Sequence, residues 1–327
     1  MGRNQTLAES VSSGRVTMVG NRLRVAVLAT MGIQAGLAPS VLAQDPGKGA
    51  ALLAEARRAI GGEERLLGVK TLDVRGAFKR AAGQFNMGGE LQIRIERPDK
   101  LRRDEDLSPP GGGPAVVRTE VLNGTEVWEE NSGRGAFITR FGRGGDAGRG
   151  GPDGGGRAAA DPARIQELQR TARQAELARL MLAWLLAADG SVTWVGTAEA
   201  PDGKADVLEV TPAAGPALRL FLDASTHVPL MITWRGVAPQ MVFAGRRGGR
   251  GARGDGAPPE GAPRPDGPRP DRPPDATLRM TLGGYKTVNG IKLPHLVTRG
   301  FNDTTVEEWV VESYRINPSF RGDVFAQ

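Results

Sequence analysis

Two adjoining stretches, TLDVRGAFKR at residues 71–80 and QFNMGGELQIRIER at residues 84–97, decide the fold class. In the first, Leu72, Val74, Gly76 and Phe78 fall on one face, with Asp73, Arg75 and Lys79 on the other. In the second, Phe85, Met87, Leu91, Ile93 and Ile95 alternate with Asn86, Glu90, Gln92, Arg94 and Glu96. A period of two with one dry and one wet face is the habit of antiparallel sheets, whose second face meets water. Turn signals at Asn123-Gly124, Pro201-Asp202-Gly203 and Asn289-Gly290 separate further alternating runs. Their spacing predicts about eleven strands.

Helical patterns occur only at the breaks. Residues 48–60 place Leu52, Leu53, Ala56 and Ile60 on a packing side, and Gly61 supplies the stop. A longer helix is predicted over 161–188, opened by Asp161 as cap and Pro162 in the first turn. Its first half is amphipathic through Ile165, Leu168 and Ala172, whereas its second half, LARLMLAWLLAA, is apolar nearly all round. A helix apolar on every side must be covered on every side. In a protein with one sheet, that places it as a plug inside the concave face of a curled sheet. The expected class is mainly β with few helices (α+β).

Composition bounds what else the chain can be. Its 327 residues are 39% hydrophobic, enough for a core, but 47 Gly and 23 Pro keep much of the chain out of it. Arg22 and Arg24 precede the apolar run VAVLATMGIQAGLA, and Val41 and Ala43 stand at the small-residue positions before a signal-peptidase cut. Residues 1–43 therefore read as a signal peptide cleaved after Ala43, which predicts a periplasmic protein. Met1 and Met18 both serve as possible starts. Removing the signal lowers the formal charge from +6 to +3, so part of the basic excess belongs to the leader. The chain has no cysteine, which excludes disulfides, a disulfide-linked partner and the lipid anchor of a bacterial lipoprotein. Two Gly/Pro-rich insertions, at 142–160 and 244–276, interrupt an otherwise single domain over 44–327 and are expected to be disordered. Their Arg-Gly-Gly runs resemble RNA-binding tails, but export and sparse aromatics argue against nucleic acid as a partner.

An enzyme is poorly provided for. The sequence holds no Gly-x-Ser-x-Gly elbow and no His-Glu-x-x-His helix, and its two histidines exclude a three-histidine zinc site. His227 lies in the turn DASTHVP, and His295 alternates with Ile291, Leu293 and Val297 on one strand face. A metal-dependent hydrolase built from both with Asp223 is the less favoured alternative. His295 reads as structural, near a strand edge, because Pro294 beside it has no N–H. No metal, cofactor or catalytic residue is expected.

Three further phrases are LRLFLDASTHVPLMITWR at 218–235, YKTVNGIKLPHLVTR at 285–299 and SYRINPSF at 313–320. With the strand and helix order, they make the chain resemble the LolA/LolB-like lipoprotein-sorting carriers, with LppX and RseB-like relatives. The resemblance covers most of 48–325 outside the insertions. It implies an unclosed half-barrel covered by a helical plug, with an acyl chain of a lipoprotein or lipid bound in an apolar cavity. It also implies inner- or outer-membrane transport partners, or, for the RseB-like alternative, a sensor that regulates a partner. On the plug, Leu177, Leu180, Met181, Trp184 and Leu185 cluster. Candidate cavity residues are Leu180, Met181 and Trp184 with Phe78, Ile93, Trp128, Phe137, Trp194, Leu220, Trp234 and Trp309 from the sheet.

Overall fold

The computed structural model describes residues 45–82, 85–108, 116–132, 138–140, 161–188, 190–200, 203–213, 215–237, 240–242, 275–302 and 304–327. The signal segment, Ala43, Phe137 and most of both insertions lie outside them. Residues 275 and 276, assigned by sequence to the second insertion, open a strand, and Ala276 is buried.

The first helix, α1 (Pro46–Ile60), starts two residues before the pattern suggested, because Asp45 caps it through Lys48 N at 2.9 Å. Gly61, at φ 154°, ends it where expected. A short helix, α2 (Glu63–Gly68), follows. Five strands then form a meander: β1 (Thr71–Ala82), β2 (Phe85–Glu96), β3 (Lys100–Ser108), β4 (Val116–Asn123) and β5 (Glu126–Ser132). After the short β6 (Ile138–Arg140) comes α3 (Pro162–Leu185), opened by Asp161 Oδ1 accepting from Ala163 N at 3.0 Å. The helix stops at Leu185, three residues short of the expected end, because Leu186 turns left-handed at φ 48°. Arg57 of α1 donates to the Leu186 carbonyl at 3.2 and 3.1 Å, so a cation closes the negative end of α3.

The second half contains β7 (Ser191–Ala200), β8 (Gly203–Thr211), β9 (Leu218–Asp223), β10 (Pro229–Val237) and the short β11 (Gln240–Val242). It continues with β12 (Asp275–Gly283), β13 (Lys286–Val288), β14 (Ile291–Leu293), β15 (Leu296–Phe301) and β16 (Thr304–Ile316). Asn289 and Gly290 join β13 to β14 with φ of 48° and 80°, the double positive φ that two-residue hairpins require.

Twelve strands form one antiparallel sheet in the order β5-β4-β3-β2-β1-β16-β15-β12-β10-β9-β8-β7. β5 and β7 at its two ends are not paired with each other, so the sheet is not closed into a barrel. β6 pairs with β11 and β13 with β14 in two small separate ribbons. The sheet has one strand more than the expected number. The fold is the mainly β architecture expected from the alternation, with α3 laid on one face of the sheet.

α3 touches β3, β4 and β5 on one half of the sheet and β10 on the other. Every residue from Ala175 to Leu186 except Ala178 is buried, including Trp184 at 1% exposure, which accounts for the all-round apolar sequence of this half. Its N-terminal turns stay exposed, Leu168 among them. Against the helix the sheet presents the expected dry residues, Leu72, Val74, Phe78, Leu91, Ile93 and Ile95, all buried in one core.

Candidate functional site

The interior between α3 and the sheet is built in two parts. In the first, Trp184 packs edge-on against Tyr314 at 6.0 Å between ring centroids. Tyr314 in turn meets His295 at 5.2 Å and donates its hydroxyl proton to the Pro294 carbonyl. Leu180, Met181, Ile93, Leu220 and Trp309 are buried in the same core, and Trp234 is buried beside them.

The second part is a buried ionic network that alternation alone conceals. Arg80 continues the dry face of β1 two residues beyond Phe78, and Glu307 lies opposite it on β16. Arg80 grips Glu105 of β3 in a two-pronged pair at 2.8 and 3.1 Å and reaches Glu307 at 3.2 Å. Arg103 donates to Glu105 at 2.8 Å and to Glu307 at 2.9 Å. The helix joins through Glu176, which accepts from Arg179 at 2.9 Å, Arg299 of β15 at 3.2 Å and Arg103 at 3.4 Å. At its outer end, Arg173 of α3 pairs with Glu120 of β4, which Arg118 also contacts. Arg80 is 2% exposed and Glu307 1%, so these are charges inside the fold.

Burial by itself would raise the Glu105 carboxyl, but Arg103 and Arg80 outweigh it and hold the group well below the usual carboxylate range. Glu176 is held down in the same way, with Arg299 and Arg179 overcoming its burial. Glu120 and Glu307 are also lowered against their burial, by Arg173 and by Arg80 respectively as the leading opposing charges. Arg179 moves the other way: burial pushes it below the ordinary arginine value despite Glu176. Its guanidinium lies 4.6 Å from the Trp234 ring. Taking so many charges out of water costs about as much as their pairing returns, so the network holds α3 in register without adding much stability.

Within this interior the Trp184 Nε1 and Arg179 Nε donors, both on α3, are buried and have no hydrogen-bond partner among the described residues. Buried polar groups are almost always paired, so two open donors on one buried stretch of helix call for an explanation.

Of the residues expected to line a cavity, Phe78, Ile93, Leu180, Met181, Trp184, Leu220, Trp234 and Trp309 come together in this interior. Trp194 sits half-buried where α1 crosses β7, with Lys48 3.4 Å over its ring and Asp206 accepting from its Nε1 at 3.2 Å. Trp128 belongs to the opposite face. It pairs with Val121 in the register of β4 and β5, faces Arg102 at 5.8 Å and donates to the Phe325 carbonyl at 3.5 Å. The physical reason is the C-terminal segment, which covers part of the outer face and makes an aromatic residue welcome there. The network residues were missed because charged side chains at inward positions read as solvent-facing. The available signal was their phase: Arg80, Arg103, Glu105, Arg299 and Glu307 each share the face of buried apolar neighbours on the same strand.

The histidines occupy separate structural posts. His295 is buried and its Nδ1 lies 2.7 Å from the Val311 carbonyl. His227, left-handed at φ 56°, places Nε2 3.4 Å from Glu55 of α1. The Asp223 carboxylate is taken up by Ser225 and Thr226, whose hydrogen bonds lower it to about 2. No group of three His, Asp or Glu side chains converges as a metal site among the described residues.

No family model and no curated protein matches the chain. Among solved structures, it is similar to a LolA superfamily protein from Nitrosomonas europaea, at 10% identity and a TM-score of 0.43, covering 85% of this chain and 97% of that one. It is also similar to a DUF1329 family protein from Desulfovibrio piger, at 10% identity and a TM-score of 0.41, covering 86% and 97% respectively. A more distant likeness, 13% identity and a TM-score of 0.19 over 84% of this chain and 99% of that one, is to the MucA/MucB complex of Pseudomonas aeruginosa.

Proposed function

We propose that this chain is an exported carrier that binds the acyl chain of a lipoprotein or lipid between the sheet and α3. Its task on this reading is outer-membrane lipoprotein sorting in the periplasm, with membrane-bound donor and acceptor partners and no chemical step of its own. The observation that carries the proposal is the buried half of α3, apolar nearly all round with Leu177, Leu180 and Met181, in which two donors, Trp184 Nε1 and Arg179 Nε, have no partner among the described residues. An ester or amide carbonyl at the head of an acyl chain is the acceptor such donors suit, and the apolar residues around them suit the chain itself. Each methylene withdrawn from water is worth about 0.8 kcal/mol, so a chain of roughly sixteen carbons gains on the order of 12 kcal/mol from being covered.

The ionic attachment of α3 fits the same role. A cover held by charges that roughly break even closes in one register yet lifts at modest cost. The export-type N-terminal sequence supports this reading, because acylated cargo between two membranes must cross water.

The test is titration with a dansyl-labelled fatty acyl ester, alongside native mass spectrometry of protein taken from its own periplasm. The expected result is saturable binding and a co-purified acyl species. Trp184→Phe, which keeps an aromatic ring but removes the donor, is expected to weaken binding more than it lowers stability. If the wild-type protein leaves the probe free under conditions in which an established carrier binds it, the proposal fails and a filled core remains.

A further inference from the structure

The outer face of the sheet, opposite α3, carries a second feature that the carrier role does not use. Asn317, left-handed at φ 55°, turns the chain off the end of β16 and is pinned by Lys70 N at 2.7 Å and by its own donation to the Gly68 carbonyl at 3.0 Å. The segment that follows folds back over the outer face. Phe325 is buried there against Phe320, and Arg102 donates to the Val324 carbonyl at 2.8 Å. Between this segment and the strands lies an open cleft of about 590 Å³.

Five arginines line the cleft: Arg75, Arg94, Arg102, Arg315 and Arg321. The register sets three of them on one line across the sheet, since Arg315 lies opposite Asp73, Asp73 opposite Arg94, and Arg94 opposite Arg102. Like charges directly opposite each other destabilise a sheet, so Arg94 beside Arg102 is a costly arrangement. One carboxylate, Asp104, offsets it by accepting from Arg94 at 3.1 Å and Arg102 at 2.9 Å. Asp73 is committed to Gln92 at 2.7 Å and leaves Arg75 a long contact of 3.5 Å. The side chains of Arg315 and Arg321 are exposed and make no hydrogen bond or ion pair among the described residues. The walls thus set five arginines against two lining carboxylates, Asp73 and Asp323, beside the ring of Phe320 and Pro318.

We propose that this outer cleft is a binding site for a phosphate-bearing anion, distinct from the acyl interior on the other face. Guanidinium groups present paired N–H donors that match phosphate oxygens, and an incoming phosphate relieves the repulsion between arginines already held side by side. The cleft is larger than an inorganic phosphate needs, so a phosphate monoester or diester with a small organic group fits it better. A free phosphate ester and a lipid headgroup share this chemistry.

The experiment separates them. Glycerol phosphate is titrated calorimetrically into the full chain, and vesicles of phosphatidylcholine alone or mixed with phosphatidylglycerol are co-sedimented with it. The expected result is saturable binding of glycerol phosphate that weakens about tenfold or more in Arg315→Glu/Arg321→Glu, and that weakens as salt rises. Both residues are exposed, so the variant is expected to keep the wild-type far-ultraviolet circular dichroism and urea midpoint. Sedimentation with the phosphatidylglycerol vesicles, also lost in the variant, assigns the site to a headgroup. Binding of glycerol phosphate without vesicle association assigns it to a free ester. Absence of binding in both arms, or binding that the double charge reversal leaves unchanged, overturns the proposal. An acyl probe reads the other face separately, so the two sites stand or fall independently.

Discussion

Glu176 is the point at which α3 is fastened to the sheet, and its removal isolates what that fastening is worth. The carboxylate accepts from Arg103, Arg179 and Arg299, and among the described residues it is the only carboxylate that Arg179 contacts. Glu176→Ala leaves Arg179 charged, buried and unpaired. Breaking one side of a buried pair costs about 3–5 kcal/mol, or roughly two to three and a half powers of ten in the folded-to-unfolded ratio. With a urea dependence of about 2–3 kcal/mol per molar, the denaturation midpoint falls by about 1–2.5 M. Tryptophan emission follows the transition, because Trp184 and Trp309 are buried at 1% and 0% exposure. The companion variant Glu176→Leu/Arg179→Met removes both charges and supplies apolar volume, and is expected to lie within about 1 kcal/mol of wild type or above it. A Glu176→Ala midpoint equal to wild type would refute the reasoning. It would mean that the carboxylate is solvated and that apolar contact alone docks the helix.

Acid is expected to destabilise the same region. Glu105, Glu120, Glu176 and Glu307 all have folded-state values below the ordinary carboxylate value, so their stabilisation is complete above about pH 5 and is lost as pH falls through the lowered values. Urea midpoints measured from pH 7 downward should stay level and then drop below about pH 4, less steeply in Glu176→Gln. Gly89→Ala should cost at least about 3 kcal/mol, because the added carbon meets the Asp106 carbonyl oxygen at 1.8 Å and the backbones of β2 and β3 must part. Thermal unfolding checks this, and a wild-type transition would show that the two strands are not so closely paired. His227→Gly should be about 1 kcal/mol more stable than His227→Ala, because the position is left-handed and only glycine escapes the cost of a Cβ there. Neither His227→Ala nor His295→Ala should move acyl-probe affinity by more than about twofold, and stoichiometric zinc held by both histidines would contradict this.

Much of the architecture was legible because it follows from period and punctuation. The alternation in 71–97 identified β1 and β2 with the correct dry faces, and Asp161-Pro162 located the start of α3. The wholly apolar stretch after Leu177 foretold burial on every side. What sequence concealed depends on contacts between distant residues. LRRDEDL in β3 has charges on both faces, and only the phase of Leu101 and Leu107 separates Arg103 and Glu105, which are buried, from Arg102 and Asp104, which face the other way. Only the arrival of Arg80, Glu307 and Glu176 from elsewhere in the chain makes burial tolerable. Trp128 misled for the converse reason: an aromatic residue looks inward unless something else covers it, and the cover here is Phe325, almost two hundred residues later.

The placement of β16 has a consequence for the life of the polypeptide before it folds. This strand, ending at Ile316, stands between β1 and β15 in the middle of the sheet, and α3 is anchored on both sides of it. A chain threaded through a membrane from its N-terminus can form the β1–β5 meander early. It has no centre to build on until residues 304–316 have emerged. Pairing Phe78 with Trp309 closes a very long loop, which slows the final step. On the proposed reading of an exported carrier, this topology delays completion of the fold, so the chain stays threadable until the strand that joins its halves has been delivered.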